Sequence, residues 1–174
     1  MASLGRPNAA YAGDRGDADP QLRAMLAAAV DHEGYLRAVA ALCTARFLLP
    51  VMALGDDGGD APDPDRHAEL GAAVLRLPDG RSAIPAFTGL DALGSWRPGA
   101  RPVPCRLDEL ASSALEQGAV AVLVDLAGPH PLVIEGDLLA ELGRGRRLVE
   151  LPDGGWGWLF AEPGDDSAPA GRTG

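Results

Sequence analysis

Residues Asp79 to Cys105, D-G-R-S-A-I-P-A-F-T-G-L-D-A-L-G-S-W-R-P-G-A-R-P-V-P-C, set three conformational signals end to end and commit the chain to a mixture of strand and helix. Asp79-Gly80 has the form of a tight turn, and Ser82 to Phe87 alternates as a strand does. Thr88, with Asp91 three residues on, has the form of a capping box. It opens a short helix that ends near Trp96 and carries Leu90, Leu93 and Trp96 along one side. No residue of the block is an evident nucleophile, base or metal ligand, so the block speaks of architecture before chemistry.

The same reading extends outward. Asp19-Pro20 supplies an N-cap and a first-turn proline, and Leu22, Met25, Leu26, Ala29 and Val30 fall on one helical face. Tyr35, Leu36, Val39, Leu42 and Cys43 predict a second helix after a break at Gly34. Phe47 to Leu54 is an almost wholly apolar strand in which Pro50 points to an edge or a bulge. Leu70 to Leu77 predicts one strand, joined as a hairpin to Ser82–Phe87 through Pro78-Asp79-Gly80. Arg101 to Cys105 is extended, Leu107, Leu110, Ala111, Ala114 and Leu115 trace a helix that Gly118 ends, and Ala119 to Asp125 is a buried strand. Gly128-Pro129 turns the chain into Pro131–Ile134. Leu138, Leu139 and Leu142 predict a short helix, and Arg147–Leu151 and Trp156–Phe160 predict a terminal hairpin around P-D-G-G. Helices and strands alternate without a strict βαβ repeat. The expected fold is therefore α+β (a mixed α/β layer), a single domain over residues 19–161 with helices packed on a largely antiparallel or mixed sheet. Residues 1–18 and 162–174, rich in Gly, Ala and Asp, are expected to be disordered tails, and residues 55–69 an acidic mobile loop.

Charge narrows the partners. The net charge is −10, and half of it falls between Gly55 and Glu69, where Asp56, Asp57, Asp60, Asp63, Asp65 and Glu69 face Arg66 alone. Such a chain repels phosphate backbones, and its one dense basic run, Arg144, Arg146 and Arg147, is small, so no nucleic-acid partner is expected. Apolar runs fall well short of the roughly 18 residues of a membrane span, and the N-terminus has no charged region leading into an apolar one, so neither membrane nor export is expected. All fifteen basic residues are arginine, which fits a GC-rich bacterial coding sequence. Without lysine, Schiff-base catalysis, pyridoxal-phosphate attachment and a lysine-bearing phosphate loop are excluded. Cys43 and Cys105 form neither a zinc spacing nor a disulfide framework and are expected to be buried and reduced. No metal or cofactor is expected; the acidic loop lacks the glycine and glutamate placement of a calcium-binding loop.

F-L-L-P-V, the block D-G-R-S-A-I-P-A-F-T-G-L-D-A-L-G-S-W, R-P-V-P and the strand and turn A-x-A-V-L-V-D-x-A-G-P together resemble the N-terminal domain of the SseB proteins, named for enhanced serine sensitivity, over about Arg46 to Leu142. The resemblance implies a bacterial, cytoplasmic protein without established catalytic residues. The separate C-terminal domain of some members is expected to be missing here, replaced by the Trp-rich hairpin.

Candidate sites follow from residue type. Phe87, Thr88 and Trp96, with Leu90 and Leu93, could line a groove for a peptide or small ligand, although large aromatics mostly pack. Arg97 and Arg101, with Arg81, could gather a carboxylate or phosphate if they converge. Trp156 and Trp158 share a strand face with Phe160, covered either by the domain's own helices or by a partner. Cys105, His130 and Asp125 can be written as a triad, with only type and chain order behind it. The expected function is a non-catalytic cytoplasmic binding or regulatory domain acting through an unknown protein partner or a small anionic ligand. The alternative is a small-molecule enzyme linked to amino-acid metabolism.

Overall fold

A computed structural model describes residues 11–53 and 70–160, which build an α+β domain with open, mixed sheets. The acidic stretch 55–69, residues 1–10 and the tail from 162 lie outside the described residues.

The chain enters through two helices, α1 (Pro20–Ala27) and α2 (His32–Leu42). Asp19 accepts from the Gln21 backbone N–H and Pro20 occupies the first turn, as the sequence predicts. The break between the helices falls at residues 28–31 and not at Gly34. Asp31 caps α2 by accepting from the Gly34 N–H, and a Cβ at Gly34 would lie 2.5 Å from the Ala28 carbonyl oxygen. Gly34 is therefore where two helices approach closely.

Strands β1 (Arg46–Ala53), β2 (Leu70–Ala72) and β5 (Arg101–Arg106) form an antiparallel sheet in the order β2-β1-β5. Pro50 thus sits in a central strand, contrary to the expectation of an edge. It faces Pro102 across the β1–β5 ladder, and its carbonyl accepts from the Ala73 N–H on the other side. A residue's N and O point the same way in a strand, so the Pro50–Pro102 pair is a non-hydrogen-bonded one and neither missing donor breaks that ladder.

Strands β3 (Leu75–Arg76), β4 (Ser82–Ala86), β6 (Ala119–Val124) and β7 (Leu132–Glu135) form the second sheet in that order. The strand expected over Leu70–Leu77 is split between the two sheets: it leaves the first after Ala72 and enters the second at Leu75. The β3–β4 hairpin is as predicted, with Gly80 at φ +85° in its turn. β4 and β6 are parallel, joined by a crossover through α3 (Leu90–Trp96), β5 and α4 (Leu107–Glu116). Paired hydrogen bonds between Leu48 and Phe87 stitch the two sheets together.

Helix α5 (Gly136–Gly143) packs beside α4, and the hairpin β8 (Arg146–Glu150)–β9 (Trp156–Phe160) closes over α2 and α5. The main core gathers Leu42, Phe47, Leu49, Ile84, Leu110 and Ile134 between helices and sheets. Each such side chain contributes roughly 1.5–3 kcal/mol on burial. A second cluster of Leu48, Phe87, Ala92 and Leu93 fixes α3 at the end of β4.

Residues 11–18 were expected to belong to a disordered tail, yet they are bonded into this body. Leu90 N–H donates to the Gly16 carbonyl at 2.8 Å, and the Arg46 guanidinium holds the Asp14 carboxylate at 2.7 Å and the Asp17 carbonyl at 2.7 Å. Gly16 has φ +76° and is buried so tightly that a Cβ would meet the Leu90 side chain at 2.6 Å. The local polar composition hides these anchors because every partner is distant in sequence.

Candidate functional site

Two charged regions meet at Arg46. The first lies where the parallel strands β4 and β6 end. Asp125 follows β6 with φ +47°, a left-handed conformation that aspartate tolerates better than most side chains, and it is 1 % exposed. Its carboxylate accepts from the Thr88 backbone N–H at 2.8 Å and from the Thr88 hydroxyl at 2.6 Å. The Arg23 Nε donates to the Thr88 hydroxyl at 2.8 Å and lies 3.3 Å from the Asp125 carboxylate. The two ends of the Arg23 fork reach the Asp91 carboxylate at 2.9 and 3.1 Å. Partial burial alone raises the Asp91 pKa, but the Arg23 fork and the Ala92 N–H outweigh it and hold the carboxyl below its ordinary range. This cluster welds α1, α3, β4 and β6, and its donors and acceptors answer one another.

The second region is a cavity of about 290 Å³ on the side where α2 ends and β1 begins. Cys43 and Thr44 supply its floor from the C-terminus of α2, Arg46 enters from β1, Arg106 from the start of α4, Arg147 from β8 and Tyr11 from the N-terminal segment. Among the described residues its lining holds three arginines and no carboxylate. Asp14 binds Arg46 from outside the lining, as Asp108 binds Arg106 at 3.1 Å, and Glu109 is occupied in accepting the Arg106 backbone N–H at 2.8 Å. Arg147 has no ion-pair partner among the described residues. Burial, then the nearby Glu109, raises the Tyr11 pKa, so the phenol keeps its proton. Burial likewise raises the Cys43 thiol, against smaller lowering contributions from the Leu148 backbone N–H and Arg147. The surface presents donors and cationic charge toward a half-open hollow, an arrangement suited to a carboxylate or phosphate.

The sequence-predicted candidates are dispersed. Phe87 is fully buried and stacks on the half-buried Trp96 with ring centroids 5.4 Å apart, so the pair anchors α3 and forms no open groove. Thr88 is 2 % exposed and does not cap α3; Gly89 occupies the cap position, and the Thr88 hydroxyl instead accepts from the Arg23 Nε and donates to the Asp125 carboxylate. Asp91 pairs with Arg23 instead of completing a capping box. Arg97 and Arg101 are exposed around the α3–β5 turn, whereas Arg81 lies before β4, at the far end of that strand, bound to Asp79 at 2.6 Å. The three do not converge.

Trp156 and Trp158 are half-buried against the main core, while Phe160, on the same face, remains 69 % exposed with the Arg146 guanidinium 4.7 Å above its ring. The basic run also divides: Arg144 and Arg146 both bind Glu141, and only Arg147 reaches the cavity. The written triad does not assemble, since Asp125 is engaged by Thr88 and Arg23 and His130 is exposed on the β6–β7 turn. Burial, then Glu109 and Asp108, pushes the Cys105 thiol up to about 12. Sequence reasoning missed Tyr11, Arg23, Arg46 and Arg106 as members of these clusters. The one local signal was an arginine, Arg23, beside the apolar stripe of α1.

A family model described as SseB protein N-terminal domain matches residues 22–141, more than half of the chain. The chain belongs to that family. The match begins in α1, upstream of the segment where the resemblance is visible by eye, and ends in α5. Cys43, Thr44, Arg46 and Arg106 of the cavity fall within the SseB-matched residues, and Tyr11 and Arg147 fall outside them. No curated protein and no solved structure matches the chain.

Proposed function

We propose that this SseB-family domain is a non-catalytic binding or regulatory module of the cytoplasm whose ligand is a small anion, a compound carrying carboxylate or phosphate groups, held in the arginine-lined cavity. The carrying observation is the convergence of Arg46, Arg106 and Arg147 on one concave space, with Arg147 left without an ion-pair partner among the described residues. A ligand oxygen there gains a charge-assisted hydrogen bond in a partly dry setting.

Binding without chemistry is favoured by the state of the neighbouring thiol. A nucleophilic cysteine needs a depressed pKa, and both Cys43 and Cys105 are moved the other way by burial. Two free thiols also suit a reducing compartment. No helix among the described residues is long and apolar enough to cross a membrane.

A panel of pyrophosphate, citrate and succinate, scored by the rise in melting temperature of the full chain at low salt, tests the reading. At least one should stabilise the native chain and lose its effect on Arg147→Ala. Equal shifts for both proteins, or none with any anion, would reject the site.

A second reading has its own observation. Leu159 is 57 % and Phe160 69 % exposed at the end of β9 away from the hairpin turn, which supports a reading in which the open end of the hairpin offers apolar side chains to a protein partner. It predicts a partner whose binding survives Arg147→Ala and is lost on Leu159→Ser.

A further inference from the structure

The segment 11–18 is attached to the body at few points, and one of its residues, Tyr11, forms part of the cavity wall. We infer that this segment is a strap over the anion site: a ligand bridging the Tyr11 hydroxyl and Arg147 ties the strap to β8, so occupancy of the cavity and closure of residues 11–18 are coupled. The inference rests on the anion-binding reading above and adds to it a donor and a moving part.

The strap is held by the Arg46 clips and by the packed Gly16, all on the C-terminal side of Tyr11. Arg46 grips the Asp14 carboxylate and the Asp17 carbonyl, and between them the Gly16 carbonyl accepts from the Leu90 N–H, so Tyr11 lies at the free side of these attachments. Within the strap, the Asp14 N–H donates to the Tyr11 carbonyl at 3.0 Å and the Gly16 N–H to the Asp14 carboxylate at 2.8 Å, forming a turn that carries Tyr11 toward the cavity. Tyr11 and the flanking residues 12–15 contribute no side chain to either core cluster. A segment with few buried apolar contacts opens at low free-energy cost, and its opening takes one wall of the cavity with it.

The donors available to an incoming anion are unevenly placed. Arg46 and Arg106 already hold carboxylates, whereas Arg147 holds none among the described residues and the Tyr11 phenol remains protonated. A ligand oxygen therefore gains most by joining Arg147 on β8 to Tyr11 on the strap, without displacing Asp14 from Arg46. By linkage, whatever holds the strap closed favours the ligand, and the ligand favours the closed strap by the same factor.

The test pairs calorimetric titration of pyrophosphate and of citrate with hydrogen exchange at the Asp14 and Gly16 amides, on the full chain and on Tyr11→Phe, Asp14→Asn and Arg147→Ala. The expected result is several-fold slower exchange at both amides on binding. Affinity should fall about tenfold in Tyr11→Phe, the scale of one hydrogen bond to a charged acceptor. Asp14→Asn, which loosens the clip but leaves Arg147 and the phenol intact, should weaken binding while Tyr11→Phe leaves unliganded exchange unchanged. Binding that depends on Arg147, with unaltered exchange at 14 and 16 and equal affinity in Tyr11→Phe, would overturn the strap while leaving the anion site standing. Absence of binding by either probe, or binding indifferent to Arg147→Ala, would remove the site and the strap with it.

Discussion

The cluster around Asp125 and the cavity around Arg147 are built from the same residue types, yet they differ in what is left over. At Asp125 the acceptors are matched by the Thr88 N–H, the Thr88 hydroxyl and Arg23, and the carboxylate is 1 % exposed. At the cavity two arginines are matched from behind and the third, Arg147, has no ion-pair partner among the described residues. Buried and answered charge works as framework, whereas a cationic lining open to a hollow is the feature on which the proposed anion binding rests. Arg46 touches both regions, donating to the Thr88 carbonyl at 3.1 Å while lining the cavity, so the site is braced by the framework.

The comparison breaks most sharply at Asp125. Asp125→Ala leaves the Thr88 donors and Arg23 without their buried acceptor and should cost about 3–5 kcal/mol in urea unfolding, the scale of an orphaned buried partner. Asp125→Asn, which keeps the shape and tolerates the positive φ, should cost less. A loss below 1 kcal/mol for the alanine variant would show that the cluster is not holding the fold.

Next comes alkaline pH. Up to about pH 8.5, the ordinary range of a free thiol, folded and unfolded chains both hold the Cys105 proton. Above it the unfolded chain releases the proton while the folded chain keeps it until about 12. Fewer protons on the unfolded state make stability fall as pH rises, by about 1.4 kcal/mol per pH unit across that window. Cys105→Ala should flatten this limb in unfolding curves taken from pH 8 to 11; an unchanged slope would assign the loss to other groups.

Arg147→Ala sharpens the comparison from the other side. Unfolding free energy should stay within about 0.5 kcal/mol, as for a half-buried arginine with no ion-pair partner among the described residues. Anion affinity should fall about tenfold or more, since a hydrogen bond to a charged group contributes about 1.5–3 kcal/mol. The smallest effect belongs to Phe160→Ala, which loses an exposed ring and one cation–π contact, about 0.5–1 kcal/mol, without touching anion binding.

Local periodicity carried much of the fold. The β3–β4 hairpin, α4 and its end near Gly118, the buried β6 and the Trp-bearing hairpin all appear where apolar spacing and turn residues place them. Expectations failed where a distant partner outcompeted a neighbour. Thr88 has a capping-box spacing, but Asp125, 37 residues away, takes its hydroxyl. Pro50 reads as an edge residue until Pro102 lies opposite it. The cavity was illegible for the same reason: its arginines come from β1, the start of α4 and β8, and in sequence each looks like any solvated arginine.

The central claim is that the hollow beside Arg147 holds a small anion while the charge cluster at Asp125 holds only the fold. Calorimetric titration of pyrophosphate at low salt into the unaltered chain, Arg147→Ala and Asp125→Asn addresses it directly. The account predicts saturable binding by the unaltered chain, retained by Asp125→Asn at a temperature where it is folded and lost by Arg147→Ala. Equal binding by the unaltered chain and Arg147→Ala, or loss confined to Asp125→Asn, would contradict it.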